Sequence, residues 1–293
     1  MSTSFTVSPM LDKINLRPGE TYTGTILVAN PKTATEDFYY KIDLSPYSVV
    51  GEDYTPDFQT MLDWSRIVEW TTIEDAEGVL KPNETKKIKY TVEVPENAPA
   101  GGQYFKIGVS SNGKANGDGG IVQNVYEMAS LVFATVEGET RHEGRILEGN
   151  IPGFVSTTKP AVSARVVNDG NVHETATTEV TVKNVFGGGN IYPKDGENSK
   201  MESIIMPFST RLISREIPDM PVLGVFEVTE TVYYMDNEMG ITSTMIICPF
   251  WFILLVIAFI SSIIGMGFYG RHLKHKKVKK QLHSEETNAK IEA

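Results

Sequence analysis

Apolar and polar residues alternate with a period of two from the first residues to about position 236, and no helical period interrupts that pattern. Tyr22, Gly24, Ile26 and Val28 alternate with Thr and Leu; Phe38, Tyr40, Ile42 and Leu44 follow; Ile88, Tyr90, Val92 and Val94 alternate with Lys, Thr and Glu. The pattern returns at Val162, Ala164 and Val166, at Val180 and Val182, and at Phe226, Val228, Val232 and Tyr234. Each run predicts a strand with one buried face, because successive side chains on a strand point to opposite sides. Turn-forming sequences separate the runs: Arg17-Pro-Gly19, Lys81-Pro-Asn83, Pro99-Ala-Gly-Gly102, Asn168-Asp-Gly170 and Gly187-Gly-Gly189. Many short strands punctuated in this way predict an all-β region of β-sandwiches.

The polar stretch Glu137–Gly144 follows the apolar run Leu131–Val136 and divides this region in two. The halves carry a weak internal repeat: Ile26-Leu-Val-Ala-Asn30 parallels Ala164-Arg-Val-Val-Asn168, and Gly102-Gln-Tyr104 parallels Gly224-Val-Phe226. The expected architecture is two tandem immunoglobulin-like sandwiches, 1–137 and 138–240, with Gly51–Thr60 and Ser111–Gly120 as extra loops of the first.

Past the strands the pattern changes. Residues 239–270 hold no charge, and Pro249–Phe268 is a 20-residue apolar stretch. A helix of that length spans about 30 Å, the hydrocarbon thickness of a bilayer. Phe250, Trp251 and Phe252 at one end and Tyr269 at the other suit the two interfaces. Residues 241–270 are therefore expected to be a single transmembrane helix, with Pro249 in its first turn. Arg271, Lys274, Lys276, Lys277, Lys279 and Lys280 follow without an intervening acid, so residues 271–293 are expected to be a basic cytoplasmic tail and the sandwiches extracellular. Ala258, Ser261, Ser262 and Gly265 fall at i, i+3, i+4, i+7 and form a face of small residues suited to helix packing, hence to a dimer or a partner helix.

Charge sharpens the division. The chain has 37 acids and 27 bases, but residues 1–244 carry 34 of those acids and only 20 of the bases. An acidic outer region disfavours nucleic acid, whose partners present a basic face. The single cysteine, Cys248, permits no internal disulfide and suggests a bacterial envelope rather than an animal cell surface. Met1-Ser-Thr-Ser-Phe5 resembles no signal peptide, so the exported chain is expected to begin upstream of Met1.

Catalytic chemistry is not suggested. No G-x-S-x-G, H-E-x-x-H or P-loop occurs, and Gly265-Met-Gly-Phe-Tyr-Gly270 satisfies a dinucleotide pattern only inside the apolar helix. His142 reads as a linker residue and His173 as an exposed residue beside a turn, with no Cys or second His to complete a zinc set. Asn116 and Asp118 sit in a glycine-rich loop with too few acids for calcium. Trp64 and Trp70 are expected on one strand face, one of them filling the core. The expectation is a protein without enzyme activity, cofactor or metal.

Phe5-Thr-Val-Ser-Pro9, Leu16-Arg-Pro-Gly19, Val28-Ala-Asn30, Leu80-Lys-Pro82 and Val94-Pro-Glu-Asn-Ala-Pro-Ala-Gly-Gly102-Gln-Tyr104 together resemble the amino-terminal domain of the WxL-interacting proteins of Gram-positive bacteria. Asn168-Asp-Gly-Asn-Val-His173, Val185-Phe-Gly187, Met206-Pro207 and Leu223-Gly-Val-Phe226 resemble their second domain. The resemblance implies a single-pass cell-surface protein that binds peptidoglycan or a surface protein partner, with adhesion to another cell as a further role. Two other roles stay open: an accessory subunit of a membrane complex, and a non-catalytic module associated with an envelope enzyme.

Overall fold

The computed structural model describes residues 5–111, 126–194 and 196–291; the side chains of residues 275 and 278–291 are outside that description. The loop positions Asn116 and Asp118 therefore lie outside the described residues.

The first half contains β1 (Thr6–Ser8), β2 (Leu11–Leu16), β3 (Thr21–Ala29), β4 (Phe38–Pro46), β5 (Ser48–Val50), β6 (Thr55–Asp57), a helical turn α1 (Ile67–Trp70), β7 (Thr71–Ile73), β8 (Glu77–Leu80), β9 (Thr85–Glu93), β10 (Gly101–Ser111) and β11 (Glu127–Val136). The sheet β1-β3-β9-β7 faces the sheet β2-β11-β10-β4-β8. Ile26, Val28, Ile88, Tyr90, Phe105, Ile107 and Val132 fill the space between them. In β9, Ile88, Tyr90 and Val92 are buried while Lys87 and Lys89 face water, as the alternation requires.

The second half contains β12 (Gly144–Asn150), β13 (Phe154–Val155), β14 (Ala161–Asn168), β15 (Glu174–Asn184), β16 (Asn190–Tyr192), β17 (Lys200–Ile205), β18 (Ser209–Glu216), β19 (Gly224–Tyr234) and β20 (Asn237–Ile247), followed by α2 (Phe250–Ile291). Three strands, β12-β14-β18, form one sheet, and six form the other, β13-β20-β19-β15-β16 with β17 on β15.

The repeat in the sequence has a structural counterpart. Each repeated Asn follows or ends a middle strand of the smaller sheet and donates its side-chain amide to two backbone carbonyls: Asn30 to Glu36 and Leu80, Asn168 to Val172 and Ile205. Each repeated glycine lies under the ring two residues ahead. A Cβ on Gly102 would stand 1.9 Å from the Tyr104 hydroxyl, and one on Gly224 2.5 Å from Phe226 Cζ. Phe226 is buried in a core with Val228 and Met245, so its ring has nowhere to move. Gly224→Ala is expected to cost about 1–3 kcal/mol through overpacking. Denaturant unfolding that leaves the midpoint unchanged would refute it.

Three expectations change. Trp64 and Trp70 do not share a strand face, because α1 turns the chain between them; Trp70 packs against the first core and Trp64 points elsewhere. The apolar helix begins later than 241. Residues 241–247 are the end of β20, paired to β19 through Gly224↔Ile247, and the helix starts at Phe250. Ile241, Met245 and Ile247 alternate with Thr242, Thr244 and Ile246, so a charge-free strand adjoins the apolar helix and hides the boundary. The second domain thus extends past 240 to Ile247, and Cys248 lies at the junction rather than inside the helix. At the other end α2 continues to Ile291, through most of the stretch 271–293 expected to be a basic tail.

Candidate functional site: the cleft between the two domains

Strand β10 is buried on both faces. Phe105, Ile107 and Val109 enter the first core, while Tyr104 and Lys106 point the opposite way and are also buried. The outer face is covered partly by the chain between Tyr47 and Ser65, including the β5–β6 hairpin, and partly by the second domain. Lys106, 7% exposed, ion-pairs with Glu127 and lies 3.8 Å from Asp43.

Where the domains meet, Tyr104 and Phe133 pack with Met206. His173 meets both rings edge-on, with centroids 5.6 Å from Tyr104 and 5.3 Å from Phe133, and its Nδ1 is 3.2 Å from the Tyr104 hydroxyl. His173 is thus a half-buried joint residue rather than an exposed one, because Asn168-Asp-Gly170 turns the chain back against the first domain. Burial, with Lys13 adding to it, lowers its pKa to about 4. Backbone bonds clamp the joint: Gly102 N–H donates to Asn171 O at 2.7 Å, and Leu212 N–H to Glu52 O at 2.8 Å. The Tyr54 hydroxyl accepts from Met206 N–H at 3.0 Å and meets the Ser209 hydroxyl. Trp64 donates Nε1–H to Gly102 O at 3.1 Å and meets Phe208 edge-on at 4.9 Å. Arg165 adds an ion pair to Glu52 at 2.8 Å.

Beside this joint lies a cavity of about 300 Å³ with walls from both domains: Leu11, Tyr47, Tyr54 and Phe133 from the first, Glu202 and Arg211 from the second. The Arg211 guanidinium lies 4.6 Å over the Tyr54 ring and donates to Ile204 O at 2.6 Å. Among the described residues no carboxylate lies within 4.0 Å of it, although Glu202 lines the same cavity. Burial pushes the Tyr47 and Tyr54 hydroxyls above their ordinary pKa, so both stay neutral donors. Leu11, on the cavity wall, opens β2, which stands at the edge of its sheet.

No family model matches the sequence, and neither does any curated protein. Solved structures similar to this chain include a Salmonella enterica complex of SafA pilin with the SafB chaperone (9% identity, 83% of this chain and 98% of the other, TM-score 0.41). Others are the class 5 fimbriae chaperone CfaA (12% identity, 83% and 99%, TM-score 0.40) and the E. coli chaperone DraB (13%, 83% and 96%, TM-score 0.38). At these values the likeness carries no function to this chain, and the site is read from its own residues.

The residues singled out by sequence lie elsewhere. Ala258, Ser261, Ser262 and Gly265 are exposed on α2, and a Cβ on Gly265 would meet nothing within 4 Å. Arg271, Lys274, Lys276 and Lys277 are exposed further along α2; the side chains of Lys279 and Lys280 lie outside the described ones. Phe250–Lys274 is long and apolar enough to cross a membrane, and its most apolar window is not buried against the rest of the chain. His142 is exposed and bonds to Glu174 at 2.5 Å. Among the described residues no three His, Cys, Asp or Glu side chains are grouped to hold a metal ion. The joint residues Tyr54, Tyr104, His173 and Arg211 had one sequence signal, the loss of alternation at Gln103-Tyr-Phe-Lys106, where a strand is covered on both sides.

Proposed function

We propose that this chain is a single-pass, non-catalytic binding protein of a bacterial cell surface. Two coupled β domains stand outside, α2 crosses the membrane, and the basic flank from Arg271 onward faces the cytoplasm. The ligand is an extended protein segment bearing a carboxylate. It lies along the free edge of β2 and places its acid group on Arg211. The WxL-interacting proteins that the sequence resembles have a layout that suits this role.

The observation that supports this reading is the Arg211 guanidinium, held by Tyr54 and Ile204 beside an interdomain cavity and lacking a carboxylate of its own among the described residues. A guanidinium aimed into a partly apolar cleft gains most from an incoming carboxylate. Sheet-edge addition supplies main-chain hydrogen bonds, and side-chain pockets supply selectivity. A sugar polymer fits less well. The cavity's tyrosine rings are engaged already, Tyr47 against Phe133 at 5.4 Å and Tyr54 beneath Arg211, which disfavours stacking on a sugar.

The test is a photo-crosslinking side chain at Leu11 in the full chain in native membranes, with Val79 on β8, at the opposite edge of the same sheet, as reference. A discrete adduct at Leu11 alone, weakened severalfold by Arg211→Gln, is expected. Equal adducts at both positions, or insensitivity to Arg211→Gln, would overturn the proposal.

A further inference from the structure

The end of the second domain nearest α2 carries an unusual set of exposed apolar side chains. Phe186 is 82% exposed, Val185, Val222 and Leu223 about half exposed, and Phe154 48% exposed. Single exposed apolar residues are ordinary, but a cluster at one end of a domain marks a contact surface.

Strand pairing places all of them at one level. Asn184, the last residue of β15, pairs with Phe226, and Val185 N–H donates to Val225 O at 3.2 Å. Gly224, which opens β19 directly after Leu223, pairs with Ile247, and Phe154 pairs with Ile246. The loop tips at Val185–Phe186 and Val222–Leu223 therefore lie beside the last residues of β20. The opposite end of the same sandwich, at Asn168–Asn171, is the one joined to the first domain.

The connection to α2 is short and pinned. Cys248 N–H donates to Val155 O at 3.0 Å, Pro249 is buried, and the helix begins at Phe250. Three residues span at most about 10 Å, so the end of β20 stands within that distance of the level at which Phe250 and Trp251 begin the helix. Phe186 precedes Gly187 and Gly188, both at positive φ, and a Cβ on either would meet nothing within 4 Å. The tip is thus an aromatic side chain on an open loop, projecting from the sandwich.

We propose that Phe186, Leu223 and their neighbours insert into the interfacial layer of the same bilayer that α2 crosses, so the second domain rests on the lipid surface rather than on a stalk. This rests on the reading of α2 as a membrane span. Aromatic and aliphatic tips lose water in the headgroup–acyl boundary without burying backbone, the same gain that seats interfacial helices ~5–10 Å deep. The covalent tether holds the tips at the interface, so each needs little affinity of its own.

The test uses the full chain, carrying Cys248→Ser, in nanodiscs of mixed phosphatidylcholine and phosphatidylglycerol. Nitroxide labels are placed on Phe186→Cys, Leu223→Cys, Val50→Cys in the first domain and Ile257→Cys in α2. The expected result is an oxygen-to-nickel accessibility ratio at positions 186 and 223 severalfold above that at 50 and approaching that at 257. Phe186→Asp should lower the ratio at position 223. Ratios at 186 and 223 equal to that at 50, with 257 still in lipid, would overturn the seating while leaving the span intact. An aqueous ratio at 257 would overturn the span, and the seating with it.

Discussion

Arg215→Met is expected to cost the second sandwich about 3–5 kcal/mol. Arg215 is 9% exposed and donates to the carbonyls of Thr178, Ser199 and Asn198 and to the Tyr192 hydroxyl. It also faces Glu230, which is 1% exposed and whose two carboxylate oxygens have no hydrogen-bond partner among the described residues. Together with Thr178 these side chains form a polar layer that separates the core around Val180, Phe226 and Met245 from the core around Val166, Ile213 and Val232. Removing the guanidinium leaves those acceptors dry and the carboxyl without a counter-charge. The double substitution Arg215→Met with Glu230→Leu should recover the part of the loss owed to the unpaired carboxyl, while the acceptors left by Arg215 stay dry. Urea unfolding in detergent, followed by amide exchange in β19, reads both; a double mutant no better than the single one would count against the argument.

The same layer sets a pH dependence with a definite sign. Burial raises the Glu230 pKa from 4.5 to about 7, with Arg215 opposing part of the rise. The folded state then holds a proton that the unfolded chain releases, so this contribution to stability is complete below pH 4.5 and is lost as pH rises through 7. The span corresponds to about 3 kcal/mol. Glu230→Gln should remove this slope.

The second large effect has the opposite sign and sits at the joint. His173, lowered from 6.5 to about 4, is neutral against Tyr104 and Phe133 in the folded protein. Its contribution is complete above pH 6.5 and is lost as pH falls through 4, again about 3 kcal/mol in full. Acidification is therefore expected to loosen the joint before either sandwich unfolds. The protection factors of the Gly102 and Met206 amides, which donate across it, should fall between pH 6.5 and 4 in the parent protein and much less in His173→Gln. Identical pH profiles for the two proteins would show that His173 does not control the joint.

The strands were legible because alternation reports directly which face of a strand is dry. β3, β9, β14 and β19 each carry the apolar period seen in the sequence. Two signals misled for a common reason: period and charge register burial, not what does the burying. The end of β20 lacks charge like the helix after it, and the helical turn around Val68 lies between two tryptophans that suggested one strand. The cleft was hidden because Tyr54, Tyr104, His173 and Arg211 are brought together from distant parts of the chain; Tyr54 and Ser209 meet across 155 residues. Only the doubly apolar stretch at Tyr104-Phe105 hinted that a second layer lies outside the first sheet.

The pinned passage from β20 to α2 has a mechanical consequence. β20 runs toward α2 and is held to β19 over eleven paired positions, from Tyr234↔Asn237 at the far end to Gly224↔Ile247 at the near end. A pull between the first domain and α2 would load that ladder along the strand axis. Its hydrogen bonds then share the load together instead of opening one at a time. A connection built this way tolerates tension between the two domains and α2 without unzipping.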